Sequence, residues 1–134
     1  MDIESILTEI ESRHMFANQS LRNKDLPSYM SIFSSDLEYQ QPDKKIIGKK
    51  QILRDTQRYF GRIRGIANSY ERLEFVYQDG IVTERLIQKS SVGLRIFIFF
   101  TKNWQLEREG IYHWRKNNGI WEICKVEILS ESVM

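Results

Sequence analysis

The stretch from Ile32 to Ile52, IFSSDLEYQQPDKKIIGKKQI, is where the chain changes from helical to strand patterns. Leu37 and Tyr39 alternate with polar neighbours, which predicts a short strand. A polar turn follows, and the apolar pair at positions 46 and 47 predicts a second short strand. Gly48 then precedes a predicted helix. This stretch therefore marks the border between a helical part and a sheet part of one fold.

Helical patterns surround the first part of this stretch. From Ile3 to Leu21 the apolar residues recur three or four positions apart, which predicts an amphipathic helix from about residue 2 to residue 22. His14 lies on the apolar stripe and should point inward, either as a core histidine satisfied by one hydrogen bond or as a ligand contact. Asp25 precedes a proline at a position typical of a helix cap, so a second helix should run to about Phe33.

A third helix is predicted from about Lys50 to Phe60, with Gly61 as a left-handed cap. After residue 65 the pattern is that of strands. Asp79-Gly80 and Asn117-Asn118-Gly119 are turn sequences that favour two hairpins. Residues 90–103, SSVGLRIFIFFTKN, fit either a further strand or an extension of the preceding one. Three helices followed by a mostly antiparallel sheet predict an α+β fold with the helices on one face.

Composition and charge narrow the class of protein. The 134 residues fit a single domain, 1–134, and 41% hydrophobic with 28% charged residues is typical of a soluble globular protein. The longest apolar run, Ile96 to Phe100, is too short to cross a membrane, and the acidic N-terminus is unlike a secretory signal. The single Cys124 suits a reducing compartment, so we expect a cytoplasmic protein with no membrane partner. A net charge of +2 argues against nucleic-acid binding.

The order of motifs along nearly the whole chain resembles the nuclear transport factor 2-like superfamily. The matching motifs are Asn23-Lys24-Asp25-Leu26, Phe33-Ser34-Ser35-Asp36-Leu37, Gln41-Pro42, Ile47-Gly48-Lys49 and Gly119-Ile120-Trp121-Glu122-Ile123. That superfamily includes ketosteroid isomerases and SnoaL-like polyketide cyclases. The resemblance implies a cone-shaped α+β barrel, in which three N-terminal helices pack in the concavity of a strongly curved, mostly antiparallel sheet. It also implies a ligand cavity and a homodimer formed through the outer sheet face.

The resemblance does not carry over the isomerase mechanism. The aspartate that shuttles a proton in those enzymes corresponds to Gln41, and an amide cannot act as a general base. Their oxyanion-stabilising tyrosine corresponds to Ala17, which has no hydroxyl group. Only Tyr112, at the position of their protonated acid, keeps a hydrogen-bond donor. Isomerase activity by that mechanism is therefore not expected.

Strand alternation predicts a ligand pocket on the inner face of the sheet. The predicted ligand-binding residues are Tyr39, Gln41, Tyr59, Trp104, Arg108, Tyr112 and Trp114. An aromatic wall with one cation suits a planar or acidic small molecule. The alternative is that these aromatic residues only pack against the helices and that Arg108 pairs with a core carboxylate.

Three functions remain open from the sequence. The first is a small-molecule-binding domain with an aromatic-lined cavity. The second is an isomerase, cyclase or dehydratase with a different acid or base, for which His14, Tyr112 and Arg108 are the catalytic candidates. The third is a dimeric protein-interaction module. We expect no cofactor, and no metal site, because His14 and His113 should lie on opposite sides of the sheet and the chain has no cysteine pair.

Overall fold

The structure is a computed structural model that describes residues 2–97 and 100–133. Within these ranges it contains three helices and six strands. The helices are α1 (Ile3–Arg22), α2 (Leu26–Met30) and α3 (Lys49–Phe60), and the strands are β1 (Phe33–Gln40), β2 (Ile46–Ile47), β3 (Ile63–Gln78), β4 (Ile81–Phe97), β5 (Phe100–Asn117) and β6 (Ile120–Val133). This α+β order of elements confirms the fold class that the sequence predicted.

The first two helices begin at side-chain caps, Asp2 for α1 and Asp25 for α2. The carboxylate of Asp25 accepts hydrogen bonds from the backbone N–H of Ser28, at 3.2 Å, and from its hydroxyl group, at 2.7 Å. The second helix ends at Met30, three residues earlier than predicted. The physical reason is that the carbonyl of Ile32 already accepts a hydrogen bond from the backbone of Ile123, at 2.7 Å, which draws the chain into the sheet.

Two of the three predicted glycine turns are confirmed and one is wrong. Asp79 and Gly80 have φ angles of 53° and 79°, and Asn118 and Gly119 repeat these values, as tight hairpin turns require. Gly61 has a φ of −69°, so it ends α3 in a right-handed conformation. Its N–H still bonds to the carbonyl of residue 57, and a left-handed cap is not needed.

The six strands form one sheet in the order β2-β1-β6-β5-β4-β3. The β1–β6 pair is parallel and the other pairs are antiparallel. The ambiguous stretch 90–103 extends two neighbouring strands: β4 continues to Phe97, β5 begins at Phe100, and Gly93 pairs with Asn103. Residues 98 and 99 lie outside the described residues.

The helices pack against one face of the sheet. Ile6 and Ile10 of α1 are fully buried against an inner sheet face that includes Leu86, Trp114 and Val126. Phe60, Ile63 and Val92 form a second, smaller hydrophobic cluster. In the described part of the chain, no helix combines the length and the apolar character that a membrane crossing needs.

Candidate functional site

A cavity of about 480 Å³ lies between the helices and the inner face of the sheet. Its aromatic walls come from both layers and consist of Tyr29, Phe33, Tyr39 and Tyr59. Burial raises the pKa of Tyr39 and Tyr59 and raises that of Tyr29 to about 12. The phenols therefore stay protonated near neutral pH and keep their hydrogen-bond donors.

The floor of the cavity is a polar row across four neighbouring strands. Tyr70, Gln88, Arg108 and Glu131 lie opposite one another in successive pairs of β3, β4, β5 and β6. All four line the cavity. Because side chains alternate along a strand, this inward row follows directly from the strand register.

Arg108 is held in place by its neighbour Glu131 in this row. Its Nε donates a hydrogen bond to Oε2 of Glu131, at 2.8 Å. Burial lowers the pKa of the guanidinium group, but the neighbouring phenols and Glu131 more than offset this effect and raise it. Arg108 therefore keeps its charge, and Glu131 and Tyr39 together use only part of its five N–H donors.

The two amides of the floor have defined orientations. The hydroxyl of Tyr112 donates to Oε1 of Gln88, at 2.6 Å, and the hydroxyl of Ser90 donates to Oδ1 of Asn68, at 2.6 Å. Each amide therefore uses its oxygen and turns its NH₂ group elsewhere. Nδ2 of Asn68 is buried and has no hydrogen-bond partner within the described residues. Such an unsatisfied donor costs about 1–3 kcal/mol.

A buried charged cluster adjoins the cavity through His14 and Tyr70 and centres on Glu84. This side chain is completely buried. Its Oε2 lies 2.6 Å from Nε2 of His14 and accepts from Nε1 of Trp114, at 3.0 Å. Its Oε1 accepts from Nε and Nη2 of Arg72, at 3.1 and 2.9 Å. Burial alone would raise the pKa of Glu84, but His14 and Arg72 outweigh it and lower the pKa, so Glu84 is ionised.

The cluster continues to the surface of α1. Nη1 of Arg72 and the hydroxyl of Tyr70 each donate a hydrogen bond to the carboxylate of Glu11. Burial and the hydrogen bond to this carboxylate raise the pKa of Tyr70. The imidazole of His14 lies between two aromatic rings, 4.6 Å from Tyr70 and 5.3 Å from Trp114 between ring centroids. The side chain of His14 is therefore held by Glu84 and packed against these two rings.

This geometry indicates which ring nitrogen of His14 donates a hydrogen bond to Glu84. Because Nε2 lies against the ionised Glu84, Nε2 carries the hydrogen and donates it. No hydrogen bond reaches Nδ1 from residues 2–97 or 100–133. His14 lines the cavity, and in the neutral ring Nδ1 is the nitrogen that can accept a hydrogen bond or a proton.

The structure brings together five of the eight predicted site residues. His14, Tyr39, Gln41, Tyr59 and Arg108 line the cavity. The other three do not, which corrects the expected lining: Trp104 is only half-buried and lies elsewhere, while Tyr112 and Trp114 are buried behind the wall. Tyr112 and Trp114 support Gln88 and Glu84 from behind, because their polar atoms are used in those hydrogen bonds.

Sequence reasoning missed Asn68, Tyr70, Glu84 and Gln88. One signal was present for Glu84, since it occupies an inward position between Val82 and Leu86, where alternation calls for an apolar side chain. A charged residue at such a position must find partners. The partners themselves come from other elements and left no local pattern.

Metal ligands do not gather at this site. Among the described residues, no three or more His, Cys, Asp or Glu side chains are arranged to hold a metal ion. His113 lies on the outer sheet face, where its Nδ1 is 3.3 Å from the hydroxyl of Thr83. The two histidines thus lie on opposite faces of the sheet, as predicted.

Comparisons with known proteins connect this geometry to a fold family. No protein-family model matches the sequence, and no curated protein is similar enough to match. Solved structures do match over most of the chain. A conserved protein from Planctomyces limnophilus has 17% identity and a TM-score of 0.82, with 92% of this chain and 94% of that chain covered. A candidate scytalone dehydratase from Novosphingobium aromaticivorans has 11% identity and a TM-score of 0.80, with 96% and 87% covered.

A third structure carries the name of the fold. It is a nuclear transport factor 2-like protein from Cytophaga hutchinsonii, with 14% identity, a TM-score of 0.64 and coverage of 97% of this chain and 99% of that chain. The chain therefore has the nuclear transport factor 2-like fold, as the order of its motifs predicted. At these identities the likeness concerns the fold, and the function has to be argued from the site.

Proposed function

We propose that the protein is a small-molecule-binding domain that takes a planar organic compound into its cavity. The observation that carries this proposal is the cavity of about 480 Å³ with aromatic side chains on its walls and a few polar groups on its floor. Its volume lies within the range of about 300–1,000 Å³ that is typical of small-molecule sites. Flat aromatic walls favour flat ligands, because stacked and edge-on ring contacts add to the burial of apolar surface.

A thermal-shift screen of planar aromatic compounds tests this proposal. Compounds that bind the folded protein raise its melting temperature, and the increase grows with the logarithm of ligand concentration over the dissociation constant. Ser90→Phe would place a ring inside the cavity and should abolish these shifts. Ser91→Phe is the matched control, because Ser91 is exposed on the outer face. The proposal fails if no compound shifts the melting temperature, or if Ser90→Phe leaves the shifts intact.

A second candidate function is an enzyme of the isomerase, cyclase or dehydratase kind, and the arrangement of His14 favours it. Its Nδ1 has no partner among the described residues, and Glu84 holds the ring from the other side. In such an enzyme Nδ1 would accept a proton from a carbon next to a carbonyl, and the electron pair would pass to the carbonyl oxygen. Glu84 would stabilise the imidazolium that forms.

Exchange of hydrogen for deuterium tests the enzymatic candidate. The α-hydrogens of 2-tetralone in deuterated buffer would exchange faster with the protein, as followed by NMR, because the enolate regains a deuteron. His14→Gln should reduce this rate by at least about 100-fold. His113→Gln, on the outer face, is the matched control and should leave the rate unchanged. A wild-type rate equal to buffer would dismiss this candidate.

The outer sheet face supports a third element of the proposal, a homodimer. Ile87 and Ile111 lie on this face beside the Arg85–Glu109 ion pair. A face that mixes apolar and charged side chains is typical of a dimer interface. We place the protein in the cytoplasm, which agrees with a lone, unpaired Cys124.

A further inference from the structure

The cavity floor presents hydrogen-bond donors that have no acceptor within the described chain. Gln88 receives the Tyr112 hydroxyl on its oxygen, and no residue of the described chain accepts from its Nε2. Arg108 gives its Nε to Glu131 and also hydrogen-bonds to the hydroxyl of Tyr39, which leaves further N–H groups of its five for a ligand. Nδ2 of Asn68 is buried without a partner. By contrast, the acceptors on this floor already receive donors, since Ser90 occupies the Asn68 oxygen.

These donors lie within reach of one point. Gln88 and Arg108 are directly opposite each other in the β4–β5 register, and Asn68 is the diagonal neighbour of Gln88 across β3 and β4. Directly opposite side chains have Cβ atoms about 5 Å apart, and diagonal neighbours about 7–8 Å apart, which long side chains bridge. A single oxygen atom above this row can therefore accept from more than one of them.

The charges around the cavity decide between an anionic and a neutral ligand. The described charged lining residues other than His14 are Arg108, Glu131 and Asp55. Glu131 compensates Arg108 directly, at 2.8 Å, and Asp55 adds a further carboxylate. His14 is paired with Glu84, and Arg72, outside the lining, is paired with both Glu84 and Glu11. No cation in this lining is left to neutralise a ligand carboxylate, and burying an unpaired charge is costly.

Building on the proposed small-molecule function, we infer that the ligand is an uncharged planar molecule whose carbonyl oxygen accepts hydrogen bonds from Gln88 and Arg108, with Asn68 as a third donor. The apolar part of the molecule then lies against the tyrosine walls. An isolated arginine would favour an acidic ligand. Because Arg108 is paired with Glu131, an aromatic ketone, aldehyde or quinone fits better.

Three compounds of matched shape test the assignment by isothermal titration calorimetry. They are 2-acetylnaphthalene, with a neutral carbonyl, 2-naphthoate, with a carboxylate, and 2-ethylnaphthalene, with neither. The ketone should bind about tenfold more tightly than the ethyl compound, because only the ketone satisfies the donors. It should also bind more tightly than the anion. Tightest binding by naphthoate, or equal affinities of the ketone and the ethyl compound, would overturn the inference while the cavity remained a binding site. Absence of binding by all three would overturn both proposals.

Substitutions of the donor residues provide a second test of this assignment. Gln88→Glu keeps an acceptor for Tyr112 but removes the free amide donor, and it should weaken ketone binding about tenfold while changing 2-ethylnaphthalene binding less than twofold. Gln105→Glu makes the same chemical change on the exposed outer face and should affect neither compound. Asn68→Asp should likewise weaken ketone binding. The second variant keeps the test informative if one of the two fails to fold. Unchanged ketone affinity in both folded variants would contradict the assignment.

Discussion

Nε2 of His14 lies 2.6 Å from Oε2 of Glu84, so a hydrogen bond joins the first helix to the fourth strand beside the cavity. The carboxylate is completely buried, and His14, Arg72 and Trp114 together supply its donors. Four donor contacts to two oxygens nearly fill the capacity of a carboxylate. The same cluster therefore supports the fold and orients the one imidazole that faces the cavity.

Replacing Glu84 should destabilise the protein strongly. Glu84→Gln removes the charge but not the volume, and it leaves Arg72 without half of its compensation. We expect the free energy of unfolding, measured in urea, to fall by about 3 kcal/mol. Glu107→Gln, at an exposed position, should change it by less than about 0.5 kcal/mol. A loss below about 1 kcal/mol for Glu84→Gln would show that the cluster contributes little to stability.

The same carboxylates predict how stability depends on pH. The pKa values of Glu84 and Glu11 are lowered from their ordinary value of 4.5; burial opposes the shift, but partners that include Arg72 outweigh it. Lowered pKa values contribute stability above pH 4.5, and this contribution is lost as the pH falls toward the lowered values. Urea unfolding between pH 7 and pH 3 should show this decline. The Glu84→Gln variant should show a shallower decline, and an equal slope in the two proteins would contradict the assignment.

Gly110 is predicted to be intolerant of a side chain. A Cβ atom there would lie 3.2 Å from Cδ1 of Ile128 and 3.2 Å from the ring of Tyr112, at a bulge between β5 and β6. Gly110→Ala should therefore lower the free energy of unfolding by about 1–3 kcal/mol.

Gly65 provides the matched control for this substitution. It also lies in a strand, but no atom lies within 4 Å of a Cβ built there. Gly65→Ala should be neutral or stabilise the protein by up to about 1 kcal/mol, since alanine restricts the unfolded chain. Similar effects of the two substitutions would contradict the close approach at Gly110.

The proposed dimer predicts a monomeric variant. Ile111 lies on the outer sheet face between Arg85 and Glu127 of the neighbouring strands. Ile111→Lys would place an unpaired charge in that interface and should convert a dimer into a monomer in analytical ultracentrifugation. Leu53→Lys changes a comparable exposed apolar residue on α3 and should leave the dimer intact. A wild-type monomer would dismiss the proposal.

The sequence alone predicted the elements better than the site. Helix α1 was placed from its apolar stripe, and both hairpin turns from Asp79-Gly80 and Asn118-Gly119, because these signals act between residues close in the chain. The end of α2 was misplaced, since the carbonyl of Ile32 pairs with a strand about 90 residues further on. Strand alternation correctly placed Arg108 on the inner face of the sheet. It could not distinguish Arg108, which lines the cavity, from Trp114, which is buried in the core.

What the sequence by itself determined is the order of the elements and the inward faces of β1 and β5. These properties depend on residue type and on spacings of two to four positions. Only the tertiary structure decided that His14 meets Glu84, 70 positions away, and that unpaired amides and one compensated arginine form the cavity floor. The physical reason is that packing and hydrogen bonding depend on distances in space, which the register and bulges of the sheet set and which no local pattern records.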